Sequence, residues 1–197
     1  MTVVLGVLFR LPLPIIAVQI LAIDLGTDVL PSLTLAYDKG DPTLMQEPAK
    51  HKSVSLLNRK NVIKLIVTGL VMGVGANLSF YLLTRSGASY AEATTASYAT
   101  IVVCQVVSVV MTHLDFRGSI LSKEMYNNGY LLLSELFSFA LLFSIVYFPP
   151  FQNIIQTAPL NFSAWIIPFL SAILLAILGQ IFFMKKDKII KARPLSI

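Results

Sequence analysis

Long apolar runs alternate with short polar segments and mark five stretches, at about 15–37, 62–83, 96–113, 130–148 and 164–184. Each is near the roughly 20 residues that cross a ~30 Å hydrocarbon layer at ~1.5 Å rise per residue. The third is the shortest. Residues 1–9 are apolar as well, but too few to span, and they read as the tail of a helix that begins outside this sequence. They lack a basic flank and a small-residue cleavage site, so no secretory signal peptide is expected. The pattern predicts an all-α fold, a polytopic transmembrane helical bundle of five full spans plus a partial N-terminal helix. It forms one transmembrane domain over residues 1–197.

The first span breaks its own pattern. Near its centre stands Asp24-Leu-Gly26-Thr27-Asp28, with Pro31 shortly after. Eleven Leu, Ile and Val residues in 15–37 favour insertion by roughly 3–6 kcal/mol, while two central acids oppose it by roughly 5–7 kcal/mol. Such a helix needs protein neighbours or a bound cation. Spaced i, i+3, i+4, Asp24, Thr27 and Asp28 share one face of an α-helix. Pro31 has no N–H, so the carbonyl of Thr27 loses its helical partner, and Gly26 weakens the helix further. The expected result is a kinked, partly unwound midpoint that presents carboxylate, hydroxyl and carbonyl oxygens, the ligands hard cations take. Two carboxylates this close in lipid call for a neutralising cation or proton, which suggests proton counter-transport.

Composition agrees with a membrane protein: 56% of residues are hydrophobic and 13% charged, about half the charge of a soluble domain. The net charge of +5 would suit nucleic acid, but its positions do not. Of 15 Lys and Arg, all but Arg10 and Arg85 fall in or beside segments 38–61 and 114–129 and the tail from Lys185. The positive-inside rule therefore places those loops and the C-terminus in the cytoplasm, and no nucleic-acid partner is expected. The single cysteine, Cys104, excludes an internal disulfide and reads as a buried, inert thiol.

The remaining polar residues inside spans each admit two readings. Gln105, at the depth of Asp24 and Asp28, reads equally as a ligand or as a helix–helix hydrogen bond, with Ser108 one turn on. Asn77 reads as packing glue, and Glu135 as an acid that snorkels or lines an ion path. His51 and His113 lie at or beyond helix ends without metal-ligand spacing. Gly69, Gly73 and Gly75 form a small-residue face that favours close packing within the chain over homodimerisation. Trp165 and Lys185-Lys186 read as interface anchors. No phosphate-binding glycine loop and no catalytic triad can be assembled, so no catalytic residues are assigned.

Leu11-Pro-Leu-Pro14, Gln19-Ile-Leu-Ala-Ile-Asp24-Leu-Gly-Thr-Asp28-Val-Leu-Pro31 and Asp41-Pro-Thr-Leu-Met45-Gln-Glu-Pro48 resemble P-type cation-transporting ATPases of the sodium/potassium and calcium pump branch. The resembled region is the end of the fifth membrane helix and the sixth to tenth helices, over essentially the whole chain. The resemblance implies that Asp24, Thr27 and Asp28 are cation ligands. It places Gln105 where the sodium pump has Gln and the calcium pump has Glu. Ser108 stands where the sodium pump has an acidic residue. The resemblance further implies a transported cation (calcium, sodium or potassium), Mg-ATP acting on domains not contained here, and no cofactor within this chain. The implied partners are the bilayer and the remaining N-terminal part of the pump, with 38–61 touching the phosphorylation domain. Alone, the chain is expected neither to hydrolyse ATP nor to pump. The alternative is a stand-alone cation-binding membrane protein, a small channel or a helper subunit.

Overall fold

The computed structural model describes residues 1–36, 59–113 and 129–191, with side chains described as far as Gln180. Two short helices, α1 (Thr2–Leu8) and α2 (Ala17–Ala22), lead into a π-helical turn (Ile23–Asp28) and α3 (Val29–Ala36). Then come α4 (Arg59–Arg85), α5 (Tyr90–His113) and α6 (Gly129–Tyr147). Short α7 (Pro149–Ile155), a 3-10 turn (Phe162–Trp165) and α8 (Ile166–Lys191) complete the order. No strand occurs among the described residues. Among the described residues, five helices are long and apolar enough to cross a membrane: Ala17–Ala36, Asn61–Arg85, Tyr90–His113, Gly129–Tyr147 and Phe162–Gln180.

The bundle is built around α5. Two-thirds of its apolar window is buried (67%), against 22% for the α2–α3 span, which therefore lies at the edge. Small residues let α4 and α8 close on α5. At Gly75, a Cβ would stand 2.5 Å from Ser171 Oγ of α8 and 3.3 Å from Thr100 Cγ2 of α5. Hydroxyls seal the α4–α5 seam, with Ser79 Oγ and Thr100 Oγ1 2.7 Å apart and Ser97 Oγ donating to the Ala76 carbonyl at 2.9 Å. Lipid offers no hydrophobic drive between helices, so such close contacts and hydrogen bonds carry the association. The rest of the glycine face seats α1. Gly69 and Gly73 lie against Met1 and Leu5, while Asn77 Nδ2 donates to the carbonyls of Thr2 (3.0 Å) and Gly73 (2.7 Å). The glycine face thus packs within the chain.

Two details differ from the sequence pattern. The third span starts at Tyr90 rather than at 96, because the charge of Glu92 is used at the helix start. Glu92 Oε2 accepts from Ser89 N (2.7 Å) and Ser89 Oγ (2.9 Å), while Ser89 Oγ accepts from Glu92 N, a reciprocal cap that satisfies free N–H groups. Trp165 is buried rather than an interface anchor. Its Nε1 donates to Tyr147 Oη at 2.9 Å and its ring stacks on Phe143 at 5.1 Å. Segments 37–58 and 114–128, which hold most of the loop lysines, lie outside the described residues, as do the side chains of Lys185 and Lys186.

The Gly75 contact gives a direct check. Gly75→Val should destabilise the protein by about 1–3 kcal/mol through overpacking against α5 and α8. Thermal unfolding in detergent should show the loss, and pairing the change with Ser171→Gly should recover part of it.

Candidate cation site

The polar turn of the first span is π-helical rather than unwound. Pro31 cannot donate to the Thr27 carbonyl, and its ring presses on that oxygen in an α-helix. Widening the preceding turn to i→i+5 bonding moves the carbonyl aside while keeping the chain helical. The released oxygen is then taken up from outside the helix: Ser138 Oγ of α6 donates to the Thr27 carbonyl at 3.4 Å. A second tie lies further along, where Thr34 Oγ1 and Ser134 Oγ are 3.3 Å apart. Gly26 permits the approach, because a Cβ there would stand 2.6 Å from Leu141 Cδ2.

The wider turn separates residues that an α-helix would align. Thr27 turns inward, 2% exposed, and its hydroxyl donates to the Ile23 carbonyl at 3.0 Å. Asp28 is half-buried and Asp24 exposed, on the face that the described helices leave uncovered. Neither carboxylate makes a hydrogen bond or ion pair among the described residues. Of the four residues singled out from the sequence, the turn holds Asp24, Thr27 and Asp28. Gln105 is half-buried on α5, and its Oε1 is shut from solvent without a hydrogen-bond partner. A helix–helix hydrogen bond through that oxygen is therefore absent among the described residues. No group of three or more His, Cys, Asp and Glu converges on one point among them either. A cation here would rely on carbonyl, hydroxyl and amide oxygens beside one or two carboxylates, which suits hard cations and not thiophilic metals.

Three contributors escaped the sequence reading. Ser138 and Ser134 sit in an apolar run, where a serine one turn from another gives no sign of what it faces. Gln19, 0% exposed, anchors the start of the same helix. Its Nε2 donates to Thr94 Oγ1 of α5 (3.4 Å) and to the carbonyl of Gln156 (3.5 Å), the left-handed residue that ends α7. Glu135 does not snorkel. It is 6% exposed, and neither carboxylate oxygen has a hydrogen-bond partner. Its position near a helix end suggested otherwise, but its side chain lies on the packed face of α6.

Comparison with known proteins bears on what this arrangement is for. Residues 12–184 match the family model described as cation transporting ATPase, C-terminus. A calcium-transporting ATPase of Bacillus subtilis (strain 168) is 31% identical over 165 residues, covering 82% of this chain and 18% of the relative. The human calcium-transporting ATPase type 2C member 1 is 26% identical over 163 residues, or 80% of this chain and 17% of the relative. The human potassium-transporting ATPase alpha chain 2 is 38% identical over 77 residues, covering 38% of this chain and 7% of the relative. The chain spans less than a fifth of the length of these curated relatives.

The local packing predicts a specific coupling. Gly26→Ala should lower thermal stability by about 1 kcal/mol, because the new methyl group meets Leu141. The double variant with Leu141→Ala should lose less than the sum of the two single losses, measured as a double-mutant cycle in detergent.

Proposed function

The chain belongs to the family of cation-transporting ATPase C-terminal regions, and on that premise we propose that it supplies one wall of the transmembrane ion site of an ATP-driven cation pump. One observation carries the reading. Asp24, exposed, and Asp28, half-buried, stand mid-span without a partner among the described residues, on a side of the turn that the described helices do not fully cover. A carboxylate there facing lipid costs roughly 2.5–3.5 kcal/mol. Further protein and a bound cation remove that cost.

In this reading Asp28, Asp24 and Thr27 contribute from the π-helical turn and Gln105 from α5. The remaining ligands come from membrane helices of the rest of the pump, and Mg-ATP acts on its phosphorylation domain. The segment 38–61 contacts that domain and passes its state to the turn. Loops 38–61 and 114–129 and the C-terminus face the cytoplasm, as their lysines and arginines favour. The transported ion is calcium or a monovalent cation; relatives of both calcium-transporting and potassium-transporting description support that range.

Asp28→Asn tests the assignment. It keeps the shape of the side chain and removes its charge. In the complete pump containing this chain, the variant should lose cation-dependent phosphorylation from ATP by at least about tenfold in apparent cation affinity. Unchanged cation dependence would remove Asp28 from the site.

A further inference from the structure

Arg10 and Arg85 are the two basic residues that fall outside the clustered loops and tail, and the fold brings the helix ends that carry them to one groove. α1 runs beside α4 in the same direction. Met1 lies against Gly69, Leu5 against Gly73 and Gly6 against Asn77. This register sets Phe9 and Leu11 alongside Val74, Leu78 and Tyr81, with a groove of about 380 Å³ between them. Its size falls in the ~300–1,000 Å³ range of small-ligand clefts. The walls are apolar apart from the Tyr81 hydroxyl and Asn77, whose amide nitrogen is spent on the carbonyls of Thr2 and Gly73. Those two bonds fix α1 to α4, and Tyr90 Oη fixes the chain beyond α1 by donating to the Leu13 carbonyl at 2.8 Å. The groove is therefore formed in advance of any occupant.

One end of the groove is positively charged. Arg10 sits between the lining residues Phe9 and Leu11, and Arg85 one turn beyond Tyr81. Arg85 Nε donates to Tyr81 Oη at 3.1 Å, and its guanidinium carbon lies 5.3 Å from the centre of the Tyr81 ring, so the cation is held against a wall of the groove. Both arginines are exposed, and neither has an acidic partner among the described residues. Neither residues 1–13 nor α4 contains an Asp or Glu. The acid at the start of α5, Glu92, is committed to Ser89. The backbone adds a second sign. Arg10 has φ 54°, the left-handed position that closes α1, with Arg10 N donating to the Val7 carbonyl and Leu11 N to the Gly6 carbonyl. Glycine takes that position freely and an arginine does not. A residue kept at such a cost points to a use for its side chain.

We propose that this groove binds an anionic glycerophospholipid, with an acyl chain along α1 and α4 and the headgroup phosphate at Arg10 and Arg85. An apolar trough that ends in two uncompensated cations at the end of a span fits an amphiphile whose anion lies at the membrane interface. Guanidinium suits phosphate oxygens, because its planar fork donates to two of them at once and is weakly hydrated. The walls carry none of the residues given to the ion site, so lipid binding here stands apart from the pump reading.

Native mass spectrometry of the full chain in detergent counts bound lipid as dioleoylphosphatidylglycerol or dioleoylphosphatidylcholine is added. The lipid-induced rise in melting temperature is a second readout. The unaltered protein should bind one phosphatidylglycerol and prefer it to phosphatidylcholine. Arg10→Gly and Arg85→Gln should each lower the affinity for phosphatidylglycerol about fivefold. Arg10→Gly should also melt no earlier than the unaltered protein in lipid-free detergent, since glycine accepts the left-handed backbone, and this separates lost binding from lost folding. Leu78→Trp fills the groove, keeps both charges and should weaken binding of both lipids. Equal affinity of the unaltered protein for the two lipids would overturn the proposal, as would unchanged phosphatidylglycerol binding in the double variant Arg10→Gly, Arg85→Gln. If Leu78→Trp binds as the unaltered protein does, the attraction is surface charge alone and the groove has no part in it. The complete pump containing this chain should retain the lipid too. Loss of the lipid there, with binding to the chain alone, would place another helix in the groove and refute the proposal.

Discussion

A single missing hydrogen bond organises the polar turn of the first span. Pro31 leaves the Thr27 carbonyl without its helical donor, and in a bilayer no water replaces one. The chain resolves the deficit twice over, by widening the turn into a π-helix and by bringing a serine of α6 to the freed oxygen. Everything nearby follows from that repair. Gly26 is needed because α6 must come close, and Thr27 turns inward because the wider turn rotates it away from Asp24. The polar turn is then held from behind and left open in front.

The rest of the bundle supplies the backing. α5 is packed by α4 and α8 through glycine, serine and threonine contacts, which makes it the stiff element against which α6 and the π-helical turn are set. Gln19 fixes the opposite end of the same helix to α5 and to the end of α7. The carboxylates therefore stand on a short π-helical turn between two anchored ends.

Much of this was legible in the sequence. The five spans followed from hydropathy alone, and the polar cluster of the first span stood out because acids are so costly at that depth. That the helix loses its regular pattern just before Pro31 followed from the missing N–H, though as a π-helical turn rather than an unwound one. What the sequence withheld was the partner of the freed carbonyl. Ser138 is unremarkable in an apolar run until the packing of α6 is known. The period of the turn was hidden as well, so residues expected on one face were divided between two. Glu135 misled for a related reason: its distance from the helix end was readable, but the face it occupies depends on which side of α6 is packed. Trp165 was misplaced in the same way, because an aromatic at a span end can face either the interface or the bundle. Tertiary packing decides those cases, and local pattern does not carry it.

Cation binding through oxygen ligands at the π-helical turn of the first span, as proposed above, can be seen directly. The most direct measurement is an anomalous difference map from crystals of the complete pump grown with thallium, or with strontium in place of calcium. The account predicts a peak at coordination distance, about 2.3–2.6 Å for a calcium-like ion, from the Asp28 carboxylate. Peaks confined to other parts of the membrane region, with the Asp28 carboxylate touching no ion in any ion-loaded state, would contradict it.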